Sequence, residues 1–276
     1  MSGLKPERFE IEEFTSYWNV DPEKFKDKIA DYANILIAGF PPMGNVIPYR
    51  LKEHLKDSEE VVSLYSYNFP PMVEAREDEF EIPHDELWYS EEKRLFCYIG
   101  KYPETEYIPK SAYKQAEDVA HLARALCVKE LYTVGVIMPA QEPFKEQRDE
   151  VEAYIGCFEG SKKEIPEGMK KMTRRNIGRY TIIRKTGLLP GFASQIGIES
   201  YSILGVGNYP EDLRACARAL RAFKKLSGLK MEETAEIEKM FEKSAEAVEE
   251  RIQEQIEKAA YKGEGVGAEP SQYMYG

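Results

Sequence analysis

Between Gly39 and Val46 the chain reads GFPPMGNV, with two glycines separated by four residues where an apolar run gives way to a helical pattern. α/β proteins often cradle phosphate on backbone N–H groups at such a junction. A nucleotide-binding P-loop would continue with a lysine and a magnesium-binding Ser or Thr. Asn45 and Val46 occupy those positions, and Pro41 and Pro42 have no N–H to offer. The loop therefore reads first as a tight structural turn, and second as a nucleoside, ATP or phosphate site at 39–45 assisted by Asn68 and Phe69.

Other reactive residue types form no pattern. His54, His84 and His121 fall on a helix, a turn and a helix, without metal-ligand spacing. Ser194 in GFASQ lacks the second glycine of a hydrolase nucleophile elbow. Carboxylates crowd into runs such as EAREDEFE (74–81), the pattern of a solvated face. Cys97, Cys127, Cys157 and Cys216 show neither C-x-x-C nor metal spacing, and read as small apolar residues in a reducing cytoplasm. Neither a catalytic residue, nor a metal ligand, nor a cofactor is assigned.

The net charge of −11 over 276 residues argues against nucleic acid as the main partner. The one basic stretch, KKMTRRNIGRY (170–180), fits a solvated helix or loop, or else a basic face. No apolar run approaches the roughly 20 residues of a membrane-spanning helix, and MSGLKPERFEIEEF lacks the apolar middle of a signal peptide. A cytoplasmic protein without a membrane partner is expected. Its 32% charged residues suit the ion-pair-rich proteins of thermophiles.

NILIAGF (34–40) has the look of a strand buried on both faces. GNVIPYRLKEHLKD (44–57) follows as a helix, with Asn45 able to cap it and Pro48 in its first turn. EVVSLYSY (60–67) then completes a strand–helix–strand unit. MVEAREDEFEIP and LWYSEEKRLFCYIG read as antiparallel hairpins. The spacing of Ala112, Ala116, Val119, Ala123 and Leu126 predicts a helix over 111–129. Strands follow at LYTVGVIM (131–138), EAYIGCFE (152–159) and ESYSILGVG (199–207). A further helix is expected to start at Pro210, with Glu211 and Asp212 in its first turn, and to end at Gly228. This alternation predicts an α/β fold with a mostly parallel sheet flanked by helices, together with β-hairpins.

The organisation expected is an α/β core over 1–230, a C-terminal helix over 231–260 and a flexible tail over 261–276. The helix carries one narrow stripe of Phe241, Ala245, Val248, Ile252 and Ala259, suited either to its own domain or to a subunit contact. The tail has three glycines and a proline before it ends in Met274, Tyr275 and Gly276. An apolar residue, a tyrosine and a carboxylate gain nothing from exposure to water. They either fold back or are received by another protein.

ILIAGFPPMGNV, LYSYNFPPMVEAREDEFEIPHDELWY, GLLPGFASQIGIESYSILG and YPEDLRACARALRAFKKLSGL, taken in order, resemble the archaeal branch of the proteasome-assembly-chaperone family over about residues 30–230. The resemblance implies a nucleoside-phosphorylase-like α/β core without a demonstrated active site, and a homo-oligomer, expected to be cyclic. It implies work on 20S proteasome α subunits as a chaperone or ATP-independent activator, alone or with a paralogous chaperone. Some relatives end in a hydrophobic–tyrosine–any residue motif that enters pockets between α-ring subunits. Met274, Tyr275 and Gly276 match its three positions. The alternative is a nucleoside-phosphorylase-like or ligase-type enzyme using the 39–45 loop.

Overall fold

The structure is a computed structural model that describes residues 8–10, 14–69, 72–76, 79–101, 109–137, 151–173, 182, 184–209 and 211–261. The chain begins with β1 (Arg8–Glu10), β2 (Thr15–Trp18), α1 (Pro22–Ile29), β3 (Asn34–Gly39), α2 (Val46–His54) and β4 (Glu59–Tyr65). Two hairpins follow, β5 (Glu74–Arg76) with β6 (Glu79–Glu81) and β7 (Asp85–Ser90) with β8 (Leu95–Ile99). Then come α3 (Pro109–Ala125), β9 (Val128–Ile137), β10 (Ala153–Cys157), β11 (Met169–Lys171) and α4 (Arg184–Gln195). The described chain closes with β12 (Glu199–Val206), α5 (Leu213–Ser227) and α6 (Thr234–Tyr261).

Ten strands form one sheet in the order β1-β2-β4-β7-β8-β3-β9-β12-β10-β11, and β5 and β6 form a separate two-stranded sheet. The α/β class is the expected one, and the large sheet is mixed. Its middle, β8, β3, β9 and β12, is parallel, as is β10 with β11; the remaining pairs are antiparallel. β4 runs parallel to β3, but the β7–β8 hairpin inserts between them, so the expected strand–helix–strand unit is not a pair of neighbours.

Alternation along the central strands builds a core on each face of the sheet. Leu36, Ala38, Phe96 and Tyr98 join residues of α1, α3 and α4. Ile35, Ile37, Leu95 and Cys97 join residues of α2, α5 and α6. Gly205 permits the close seating of α5, because a Cβ there would run into the carbonyl of Ala215.

The ends of the helices refine the sequence reading. α5 begins after Asp212, whose carboxylate accepts from the Arg214 and Asn208 N–H groups, so its cap lies beyond the expected Pro210, which falls outside the described residues. Gly228 ends α5 in the left-handed region, as expected. Asn45 precedes α2 with helical backbone angles and makes no cap hydrogen bond, which corrects its expected role. Its Oδ1 is buried without a partner among the described residues.

α4 is unexpected, since Gly187, Pro190 and Gly191 interrupt its sequence. Pro190 has no N–H for the carbonyl of Thr186 one turn earlier. That carbonyl instead lies 2.6 Å from Thr133 Oγ1 on β9 and 2.8 Å from Ser202 Oγ on β12. Gly187 is required where Ile182's backbone passes too close for a Cβ.

α6 realises the expected C-terminal helix. Ile237, Phe241 and Ala245 are buried and Val248 reaches solvent, while the side chains of Ile252 and Ala259 lie outside the description. Arg221 of α5 reaches Glu238 and Glu242 of α6, and Arg214 pairs with Glu249. No helix among the described residues is long and apolar enough to cross a membrane.

Candidate functional site

The 39–45 loop stands at the carboxyl end of β3, where open α/β sheets usually bind ligands. Here the turn leads directly into the first turn of α2. The N–H groups of Asn45, Val46 and Ile47 donate to the carbonyls of Phe40, Met43 and Gly44. The Gly39 carbonyl accepts from the Gly100 N–H. A Cβ on Gly39 would strike the Gly44 carbonyl, and one on Gly44 would strike that of Val134. The glycines therefore serve close packing of the loop on β9, which favours the structural-turn reading over a phosphate cradle.

Beside the loop lies a buried polar cluster that the sequence did not reveal. Tyr98 donates its hydroxyl to Asp85 Oδ2 at 2.6 Å, and the Lys101 N–H donates to Asp85 Oδ1 at 2.9 Å. Burial pushes the Asp85 carboxyl above its ordinary value, against the pull of the nearby Lys185 charge, the hydroxyl and the amide. Lys185, only 2% exposed, donates to Gln115 Oε1 at 3.0 Å and lies 5.1 Å from the centre of the Phe40 ring. Gln115 in turn donates to Ser66 and Ser111, and the Asn68 N–H donates to Ser66 Oγ. The loop, Asn68 and the 66–69 turn are thus brought to one place, linked through Lys185 and Gln115. Phe69 points elsewhere, packing toward Phe14.

Adjacent residues of a strand face opposite ways, so Glu86 begins a second network on the other side of β7. Glu86 is fully buried and accepts from Lys52 Nζ at 2.9 Å and Trp88 Nε1 at 2.8 Å, with Lys101 Nζ 2.5 Å from its other oxygen. Lys52 also lies 4.1 Å from the Trp88 ring centre. His84 Nε2 is 3.7 Å from Glu60 and 4.0 Å from Glu86, and its Nδ1 is 3.0 Å from the Ile82 carbonyl. Glu60, His84 and Glu86 could offer three ligand atoms within 4.8 Å of one another. Two lysines already balance Glu86, however, and a dication would have to displace Lys101. Charge balance makes this an ion-pair network. Glu60 comes from β4, Glu86 from β7 and His84 from the residue just before β7, which is why spacing along the sequence missed them.

The remaining candidates separate. His54 caps its own helix through the Arg50 carbonyl, and His121 is exposed on α3. Ser194 donates to the Gly191 carbonyl inside α4. Cys97 and Cys216 are buried, whereas Cys127 and Cys157 are half-buried; all four are free thiols. Burial raises the Cys216 thiol to about 12 and Cys97 higher still, which is the reverse of nucleophile activation. Met274, Tyr275 and Gly276 lie outside the described residues.

No curated protein matches the chain. Solved structures do. Pyrococcus furiosus PbaB, described as an archaeal proteasome activator, is 21% identical with a TM-score of 0.65, covering 88% of this chain and 98% of its own. P. furiosus PbaA, an archaeal homolog of proteasome-assembly chaperone, is 20% identical with a TM-score of 0.61, covering 84% and 92%. A Mycobacterium tuberculosis proteasome-assembly chaperone homologue is 13% identical with a TM-score of 0.52, covering 80% and 95%. At these identities the likeness is one of fold. The profile of the PAC2 family matches residues 36–256, from β3 through most of α6, and on that match the chain belongs to the PAC2 family.

Proposed function

We propose that this chain is a non-enzymatic proteasome-assembly-chaperone homologue of the cytoplasm. It self-associates and docks on the α-ring of the 20S proteasome through Met274, Tyr275 and Gly276, as an assembly factor or ATP-independent activator. The observation that carries this reading is the family match over 36–256, joined to a fold shared with PbaA and PbaB. The polar groups by the 39–45 loop support it, because they are engaged with one another and the Asn45 amide is bonded within the turn.

The tail has suitable chemistry. The Tyr275 ring supplies apolar area and a hydroxyl, and Met274 adds adaptable contact. About 13 flexible residues reach roughly 20 Å by the random-coil estimate. One such tail binds weakly, and a multimer presenting several gains by avidity. The test is to mix the purified chain with archaeal 20S proteasome or isolated α-ring. Co-migration, or peptide hydrolysis stimulated without ATP, is expected. Absence of both at micromolar concentration would contradict the proposal.

The enzyme reading keeps one observation, the convergence of the 39–45 loop, Lys185 and Gln115 at the carboxyl end of the parallel strands. It predicts a rise in melting temperature with ATP, a nucleoside or phosphate, since a ligand of the folded state stabilises by mass action. The chaperone reading predicts none.

A further inference from the structure

α6 runs past the helix it packs on. The pairs Lys224–Thr234, Arg221–Glu242 and Arg214–Glu249 show α5 and α6 antiparallel, with the start of α5 beside Ala245–Glu249. Ile237, Phe241 and Ala245 are buried, whereas every described side chain from Glu246 to Glu254 is exposed. From Glu250 to Tyr261 the helix adds about 18 Å. A helical segment of that length is marginal in water without packing. Its sequence opposes it as well, since Glu246, Glu250 and Glu254 recur at every fourth position and like charges so spaced disfavour a helix.

The base of this segment is fastened by a cluster at the start of α5. Asp212, fully buried, accepts at Oδ1 from both the N–H and the Nε of Arg214, each at 3.1 Å, and at Oδ2 from the Asn208 N–H at 2.9 Å. The guanidinium held in this way donates from Nη1 to Glu249 Oε2 at 3.0 Å and from Nη2 to Glu249 Oε1. The Tyr209 ring centre lies 5.9 Å from the same guanidinium, and the Tyr209 hydroxyl donates to the Ala245 carbonyl at 3.4 Å. The Glu249 and Asp212 carboxylates hold Arg214 above its ordinary pKa. Single surface ion pairs contribute little, but a two-pronged pair whose arginine is already fixed by a buried acid is the favourable case.

We infer that Tyr209, Asp212 and Arg214 form a clamp on Glu249 that sets where α6 ends as a helix, and thereby how far Met274, Tyr275 and Gly276 range from the body. The inference rests on the tail docking of the proposed function and adds what positions the tail. With the helix intact, about 13 residues lead from Tyr261 to Met274; with 250–261 melted, about 25 do. Random-coil reach grows as the square root of length, so the local concentration of each tail falls about three-fold, and the loss multiplies over the tails of one multimer. Arg214 and Glu249 are positioning residues in this scheme, because they act through the helix.

Amide hydrogen exchange over 250–261 and co-migration with archaeal 20S proteasome, both on the full-length chain, test this. Arg214→Met and, separately, Glu249→Ala should speed exchange at 250–261 several-fold, leave exchange in the central strands unchanged, and weaken proteasome binding about three-fold or more. Glu249 is exposed, so its variant keeps the body folded even where Arg214→Met disturbs the start of α5. Adding Glu250→Lys turns two like-charge pairs into attractive ones, and should slow exchange again and restore binding without restoring the clamp. An arginine needed only to fold α5 would not be rescued in this way. Unchanged exchange in both variants overturns the clamp. Faster exchange with binding unchanged overturns its role in positioning the tail. Binding by Tyr275→Ala at full strength removes tail docking itself, while the clamp is still decided by exchange alone.

Discussion

The Thr186 carbonyl offers a quantitative test of how α4 is held, and with it Lys185, the next residue back. Pro190 removes the helix donor for this carbonyl, and two hydroxyls replace it, Thr133 at 2.6 Å and Ser202 at 2.8 Å. Those hydroxyls also lie 2.8 Å from each other. Two protons serve three contacts, so either hydroxyl can satisfy the carbonyl if the other is lost. Thr133→Val or Ser202→Ala alone therefore removes about one hydrogen bond, worth about 1 kcal/mol. Removing both leaves a buried carbonyl without a donor, which adds a desolvation cost of about 1–3 kcal/mol. The double variant should exceed the sum of the singles by at least about 1 kcal/mol, a coupling expected of residues that share one partner. Pro190→Ala restores an N–H one turn along the helix and should recover much of the loss in the double variant. Urea unfolding followed by circular dichroism measures all four proteins. Additivity within about 0.5 kcal/mol, together with no rescue by Pro190→Ala, would refute the reasoning.

Three further outcomes are expected. Lys185→Met should destabilise by about 1–3 kcal/mol, because it takes the charged donor from the buried Gln115 Oε1; combining it with Gln115→Leu should cost less than the sum, read by the same unfolding measurements. Phe241→Ala, at a buried position of α6, should cost about 3–5 kcal/mol, whereas Val248→Ala on the exposed part of the stripe should be nearly neutral by thermal melting. Asp57 is held below its ordinary value although burial opposes this, because the Glu92 N–H and the Ser90 hydroxyl bond its carboxylate. A depressed carboxyl contributes stability above its unfolded value near pH 4 that is lost as pH falls through the folded value, so Asp57→Asn should flatten the acid limb of a stability–pH profile.

What could be read from the sequence was what local rules decide. NILIAGF was legible as β3 because a strand buried on both faces is apolar at every position. The two hairpins were legible because acidic turns separate short alternating runs. Gly228 could be read because a helix end there needs a left-handed residue. α4 could not be read: Gly187, Pro190 and Gly191 are local breakers, and the compensation comes from Thr133 and Ser202, far away in the chain. Asn45 misled because the turn, rather than its side chain, ends the loop's hydrogen bonding. The sequence also gave no sign of Lys185 and Gln115, or of the pairing of Glu60 and Glu86 around His84. Each of those groups is ordinary in its own segment, and only strand order assembles them. The signal that was present is His84, Glu86 and Trp88 at alternate positions, the last two on β7 and the first just before it.

The central claim is that Met274, Tyr275 and Gly276 dock on the proteasome, and co-migration of tail variants with archaeal 20S proteasome tests it most directly. Tyr275→Ala removes the aromatic anchor, a loss of about 2 kcal/mol or more, or roughly 30-fold in affinity. One residue added after Gly276 keeps every side chain but moves the motif inward from the end of the assayed chain, and should weaken binding nearly as much. Gly263→Ala or Gly265→Ala should change little, because a linker needs reach and not sequence. All four proteins should share one fold and one oligomeric state. Binding lost in the first two and kept in the last two is the predicted result; binding by Tyr275→Ala and by the extended chain at the strength of the unmodified protein would contradict the account.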